Sequence, residues 1–293
     1  MYPITHCIPT CKIVETVPNK EKEMAQCDPR DARTYIFKNE KDYYKDYQKS
    51  KFGVTKCKAG WDCFRHYEIL ANGCLPLFLD VEKCPPNTCT HLPKERLKYI
   101  LKHHKDSNFD YDTIANEMLE YTKRHLSTKA MAQYMLDTLQ IKCKKILFLA
   151  GKKSRSNYMR DCLLVGFKEL LGVECHDYPE VSFLYKDCPD DKIVGNHRLW
   201  GKGMGYTKII DRSLRKDISE SEIRTNIVNK EYDLIIYANI FGRWEEPPLF
   251  MDIVCEHYDK SKIVMICGND KNKRKPTEWY ANQGHPCFVR ELI

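Results

Sequence analysis

Between Lys51 and Phe78 the chain reads KFGVTKCKAGWDCFRHYEILANGCLPLF. Lys56, Lys58 and Gly60 fall in a short polar stretch. Trp61, Arg65 and Glu68 follow, where apolar residues take up helical spacing. The pattern predicts a strand, a loop, a helix ending at Gly73, and a second strand, CLPLFLD. The free N–H groups at a helix N-terminus attract an anion, and the two lysines add charge there. Arg65 and Glu68 are three residues apart and share a helix face. A guanidinium fork grips phosphate oxygens in pairs, and a carboxylate can accept from two neighbouring sugar hydroxyls. Gly73 permits the positive φ at which a helix stops and the backbone turns back. For an arbitrary Arg-x-x-Glu the commoner arrangement is an intrahelical ion pair on a solvated face.

These residues need elements to hold them. In the second half, the apolar runs ILFLAG, VECHDYP, DLIIYANI, KIVMICGND and PCFVREL alternate with helical segments. The first of these is YMRDCLLVGFKELLG, closed by Gly172. SESEIRTNIVNKEYD, opened by a serine cap, and PPLFMDIVCEHYDKSK follow. Strands of continuous apolar character between helices predict a parallel sheet covered on both faces, a Rossmann-like domain over residues 143–293. The first half alternates too: a strand at TYIF, a helix at NEKDYYKDYQKS capped by Asn39, a strand at KFGVT, then the segment above. LPKERLKYILKHH is a further helix with Pro93 in its first turn. This gives a smaller α/β domain over 1–105. YDTIANEMLEYTKRHL and STKAMAQYMLDTLQ are helices bridging the two, over 106–142. In open α/β sheets ligands bind beyond the carboxyl ends of the strands. The candidates there are Lys56–Asp62, Gly151–Asn157, Asp177, Asn239–Arg243 and Gly268–Asp270.

The bulk properties bound the class. The chain has 293 residues, 42% hydrophobic and 30% charged, which suits folded domains and excludes a disordered composition. No apolar run reaches the roughly 18 residues of a membrane span. MYPITHCIPTCKIVE lacks the basic-then-apolar pattern of a secretory signal, so a cytoplasmic protein is expected. The net charge of +7 is spread along the chain rather than gathered into an arm. That favours anionic small molecules over nucleic acid. KDYYKDYQK interleaves basic and aromatic residues, but its spacing is that of a packed amphipathic helix. Fifteen cysteines, odd in number and scattered, read as free and mostly buried thiols, Cys162 and Cys255 among them. Cys7/Cys11, Cys57/Cys63 and Cys84/Cys89/His91 come nearest to zinc spacing; none is a CxxC pair, and no metal is expected. ILFLAGKKSRSN carries one glycine, so the GxGxxG fingerprint of a nicotinamide-dependent epimerase is absent.

The string from Arg65 through Glu68, Ala71, Gly73 and Cys74 to Pro76 resembles the donor-site segment of exostosin-like GT-B glycosyltransferases, in particular those encoded by large DNA viruses of algae and amoebae. WDC before RHYEI, and DYPE, YDLIIY and VREL in the second half, extend the likeness more loosely over most of the chain. The resemblance implies an α/β, GT-B-like fold, with two Rossmann-like domains facing a cleft and bridging helices between. It implies transfer of a sugar, xylose or another pentose or deoxyhexose, from a UDP-sugar to a hydroxyl of a glycan acceptor such as the N-glycan of a viral capsid protein. The expected reaction is inverting and metal-independent, with the nucleotide-sugar as co-substrate and no other cofactor, in the cytoplasm of a host cell. Arg65 with Lys56 or Lys58 stabilises the departing diphosphate, Glu68 holds the ribose, and Trp61 walls the site or packs in the core. Asp270, then Asp177 and His197, are candidates for the general base. Asn239 is a candidate for holding the acceptor, and Arg243 for holding the acceptor or completing the phosphate clamp. HRLWGKGMGY is expected to be a mobile acceptor-side loop. In typical GT-B enzymes the donor domain comes second; here the donor-like motif is in the first half. The chain thus reads as a circular permutant in which Phe288–Leu292 would run on into Tyr2–Ile4. A phosphorylase on the same fold, or a non-catalytic glycan- or nucleotide-binding module, is the alternative. The latter would tolerate loss of Arg65.

Overall fold

Apolar runs of three to five residues form the strands Ile146–Leu149, Leu234–Tyr237, Ile263–Cys267 and Cys287–Val289 of the second half, and helices run between the strands. A computed structural model describes residues 1–151, 156–193, 196, 198–240, 248–270 and 275–293, with the backbone alone at Lys275. In chain order, β1 (Tyr2–Pro3) is followed by β2 (Lys22–Met24), α1 (Glu40–Lys49), β3 (Ser50–Thr55), α2 (Phe64–Ala71) and β4 (Leu75–Phe78). Helices α3 (Lys94–His103), α4 (Tyr111–Tyr121) and α5 (Thr128–Leu139) come next, a π-helical turn at Thr122–Leu126 joining the last two. The second half runs β5 (Ile146–Leu149), α6 (Tyr158–Leu171), β6 (Cys175–Tyr178), α7 (Glu220–Val228), β7 (Leu234–Tyr237), α8 (Met251–His257), β8 (Ile263–Cys267), α9 (Lys275–Asn282) and β9 (Cys287–Val289).

The caps follow the sequence. The Asn39 side chain accepts from the N–H of Asp42 at 2.9 Å and starts α1. Ser219 does the same for α7, and Gly172 ends α6 with φ of 58°. The strand expected at TYIF is not there. Asp31 instead accepts from the N–H of Arg33 and opens a 3-10 turn over Ala32–Thr34. The first strand of that sheet is β2, Lys-Glu-Met, exposed along its whole length. Charged edge strands of this kind carry no apolar signal. Helix α2 begins at Phe64 rather than at Trp61, because Asp62 is held by partners elsewhere in the fold.

Two parallel sheets result. The smaller has the order β2-β3-β4; the larger has six strands ordered β1-β9-β8-β7-β5-β6. Strands β5, β7, β8 and β9 are buried at every residue, as expected for a sheet covered on both faces. The strand order reverses between β5 and β7, which makes their carboxyl ends the switch point of the sheet. β1 lies beside β9, with Tyr2 opposite Phe288. The two segments expected to run on end to end are therefore side by side, and a parallel pair cannot be joined by a short turn.

One apolar core spans both halves, joining Phe52 and Leu75 of the small sheet to Met131 of α5 and to Phe148 and Leu163 of the large unit. Helix α4 packs on α2, and α5 on α6. The α5–α6 contact is backbone-close: a Cβ at Gly166 would stand 2.1 Å from the Thr128 carbonyl oxygen. A second cluster, including Leu147, Ile235 and Met265 with Ile223, Val254 and Tyr258, covers the other face of the large sheet. All the cysteines are free thiols. Cys162 is buried as expected, but Cys255 faces solvent on α8. Among the described residues no helix is long and apolar enough to cross a membrane.

Candidate functional site

The carboxyl ends of β2 and β3 open onto a cleft of about 250 Å³. The loop after β2 supplies Cys27, Tyr35 and Phe37. The loop after β3 supplies Lys56, Lys58 and Cys63, and α2 adds Phe64, Arg65 and Glu68. Tyr43 comes from α1. The second half contributes Tyr158, the first residue of α6, and Gly201, Lys202 and Met204 from a loop. Arg65, Lys56, Lys58 and Glu68, grouped by sequence, thus line one pocket. It lies where open parallel sheets bind ligands.

The β3–α2 loop is fixed by its surroundings. His66 is buried, and burial lowers its pKa to about 4, so the ring is neutral at pH 7. Its Nε2 lies 3.0 Å from the Trp61 carbonyl and its Nδ1 3.0 Å from Thr55 Oγ1. A neutral ring satisfies both by donating at Nε2 and accepting at Nδ1. The N–H of Lys58 donates to the Gly60 carbonyl at 3.0 Å, and that of Cys57 to Asp80 Oδ2 at 3.1 Å. Asp62 accepts from the N–H of His6 and the hydroxyl of Tyr67, each at 2.6 Å. Its own N–H donates to Glu291 Oε1 at 3.0 Å, and its carbonyl accepts from Arg290. A Cβ on Gly60 would come within 2.5 Å of Glu291 Oε1. Gly60 is therefore a glycine because the C-terminal segment presses on the loop; it does not line the cleft. Trp61 packs against the core, and Gly73 has the expected positive φ, 61°.

Arg65 and Glu68 are turned to different partners. An Arg65 Nη donates to the Tyr35 hydroxyl at 2.6 Å, and Lys58 Nζ donates to the same oxygen at 2.9 Å. Both cations also lie over the Tyr35 ring, 4.7 and 5.0 Å from its centroid. Arg65 Nε is buried and finds no hydrogen-bond partner among the described residues. An orphaned guanidinium donor in a cleft is a place for an acceptor to bind. The Glu68 carboxylate accepts from the hydroxyls of Tyr43 at 3.0 Å and Tyr44 at 3.4 Å. Burial pushes its pKa up to about 7, against the opposing pull of Arg65 and Tyr43.

The loop expected to lie on the acceptor side closes this same cleft. Lys202 Nζ donates to the Phe37 carbonyl at 2.7 Å, and the N–H of Gly205 donates to Glu40 Oε2 at 2.7 Å. Gly201, Lys202, Gly203 and Gly205 all have positive φ. A glycine takes that conformation at no steric cost; Lys202 takes it under strain. The Phe64 and Tyr158 rings, on the first residues of α2 and α6, stack at 4.4 Å with 6° between planes. Two helix N-termini therefore meet at the cleft.

The remaining candidates are spread over the large sheet. Asp177 is buried on β6, paired with Lys168 at 2.9 Å and accepting from Tyr185 at 2.7 Å. It does not line the cleft. Asp270, after β8, is exposed and paired with Arg290, whose other nitrogen holds the Asp62 carbonyl. One arginine thus separates it from the β3–α2 loop. Asn239, after β7, accepts from Asn157 Nδ2 at 3.1 Å at the switch point, where Gly151 also follows β5. His197 and Arg243 lie outside the described residues. The sequence reading missed Tyr35, Phe37, Tyr43, Tyr158 and Lys202. The aromatic density of KDYYKDYQK was the available signal for Tyr43; the others come from loops and a helix start without a periodic pattern.

No model of a known family matches the chain, and neither a curated protein nor a solved structure matches it significantly.

Proposed function

We propose that the chain is a glycosyltransferase that takes a sugar from a UDP-sugar and passes it to a hydroxyl of a glycan, on a GT-B-like arrangement of its two sheets. One observation carries the reading: four cationic side chains from two loops and a helix, Lys56, Lys58, Arg65 and Lys202, converge on one cleft, where Glu68 is the single carboxylate among the described lining residues. Such a charge balance suits a polyanion of small size, and a diphosphate is one. The two helix N-termini at the same point add partial positive charge. The apolar lining from Cys27, Phe37, Phe64 and Met204 suits a flat base.

In this reading Arg65 and the lysines stabilise the negative charge that builds on the departing diphosphate. Arg65 Nε, unpaired and buried, is the donor with capacity to spare. Glu68 faces the ribose. Asp270 is the proposed general base of an inverting transfer, placed across the Arg290 bridge from the donor loop. A reaction of this type needs no metal to neutralise the leaving group, because the four cations do so. The resemblance adds the sugar, xylose or another pentose or deoxyhexose, and an acceptor such as the N-glycan of a viral capsid protein. A panel of UDP- and GDP-sugars, read by melting temperature and by donor hydrolysis, tests the proposal. Stabilisation by UDP-sugars with slow hydrolysis is expected. A melting temperature that no nucleotide moves would remove its basis.

A further inference from the structure

We infer that Trp200 is the platform of an acceptor subsite at the mouth of the cleft, stacking on the apolar face of a sugar ring. The inference rests on the reading of the cleft as a nucleotide-sugar site and adds the chemistry of the second substrate. Trp200 is the most exposed large apolar side chain among the described residues, at 60%. A loop residue with a loosely held backbone would explain such exposure, but this backbone is pinned. Its N–H donates to Ser156 Oγ at 2.7 Å, and its carbonyl accepts from the Tyr206 hydroxyl at 3.1 Å. Ser156 is in turn fixed to the Arg198 carbonyl through both its N–H and its hydroxyl, at 3.2 and 3.0 Å. The fold therefore holds the Trp200 backbone at a defined place and leaves its indole largely in water.

That place adjoins the cleft. The next two residues, Gly201 and Lys202, line it, and a Cβ on Gly201 would stand 2.6 Å from the Tyr158 hydroxyl. Across the opening, Lys202 bonds to the Phe37 carbonyl, so Trp200 is tied to the lip that carries Tyr35 and Phe37. Arg198 and Lys202, both exposed, stand on either side of Trp200 in the chain. One flat apolar ring flanked by charged hydrogen-bond donors matches a sugar, which has a C–H face and a rim of hydroxyl acceptors. A lipid or an amphipathic helix needs a broader apolar surface.

The test is a glycan array probed with the fluorescently labelled full chain in the presence of UDP, using wild type, Trp200→Ala and Trp200→Phe. The melting shift given by UDP serves as a separate readout of the cleft. The inference expects wild type to bind a subset of glycans. Trp200→Ala should bind them at least about tenfold more weakly, and Trp200→Phe should keep most of the binding. The UDP shift should be the same in all three. No glycan binding by wild type, or equal binding by Trp200→Ala, overturns the subsite and leaves the donor reading standing. Loss of the UDP shift in wild type strikes the donor reading itself.

Discussion

Replacing Glu68 by Gln should stabilise the protein at pH 8 and leave its stability nearly unchanged at pH 4.5. Glu68 is 7% exposed, and burial raises its pKa from the ordinary 4.5 to about 7. A carboxyl whose folded pKa exceeds its unfolded one holds its proton more tightly in the native state. Below about pH 4.5 both states are protonated, and there is no penalty. Between pH 4.5 and 7 the unfolded state ionises first, so stability falls as pH rises; above about 7 the penalty is complete. At roughly 1.4 kcal/mol per pH unit, the rise from 4.5 to about 7 amounts to about 3–4 kcal/mol at most. The opposing attraction of Arg65 is already contained in that net value. A Gln amide keeps an acceptor for the Tyr43 hydroxyl, which stands at 3.0 Å, so the exchange removes the charge with little loss of hydrogen bonding. Urea denaturation of both proteins at pH 4.5 and pH 8 reads the difference. A gain at pH 8 that vanishes at pH 4.5 is the expected result. An equal effect at both pH values, or destabilisation at pH 8, would show that Glu68 is not held against ionisation.

Other substitutions test the frame. Gly166→Ala gains helix propensity but drives a methyl to 2.1 Å from the Thr128 carbonyl; a net loss of about 1–3 kcal/mol is expected by urea denaturation. Gly60→Ala would push Glu291 from the Asp62 N–H, lowering the melting temperature and weakening UDP binding together. Lys202→Ala removes one of the cleft's cations and the bond to the Phe37 carbonyl. It should reduce UDP affinity roughly three- to tenfold in calorimetry, with a smaller effect at high salt.

Strands β5, β7, β8 and β9 of the large sheet were legible because they are continuous apolar runs between helices, while the two-residue β1 at its edge was not; the helix starts at Asn39 and Ser219 fall where polar caps precede apolar spacing. β2 was not legible, since an exposed Lys-Glu-Met edge has no apolar periodicity. Of the site, the Arg65 and Glu68 grouping could be read because both lie within one helical turn. The partners that set their state could not. Tyr35 holds Arg65 from thirty residues away, and Tyr43 holds Glu68 from the neighbouring helix. Lys202 reaches the cleft across 165 residues of chain. Long-range placement of this kind leaves no spacing signal. The same holds for Asp62 and Gly60, whose roles depend on Arg290 and Glu291 at the far end of the sequence.

Calorimetric titration of UDP into wild type and into Arg65→Ala bears most directly on the assignment of the cleft. Saturable one-to-one binding by wild type, weakened about ten- to a hundredfold in Arg65→Ala, is the predicted result, since a charge-assisted hydrogen bond is worth about 1.5–3 kcal/mol. No binding by wild type, or equal affinity in the two proteins, would contradict a nucleotide-sugar site at Arg65.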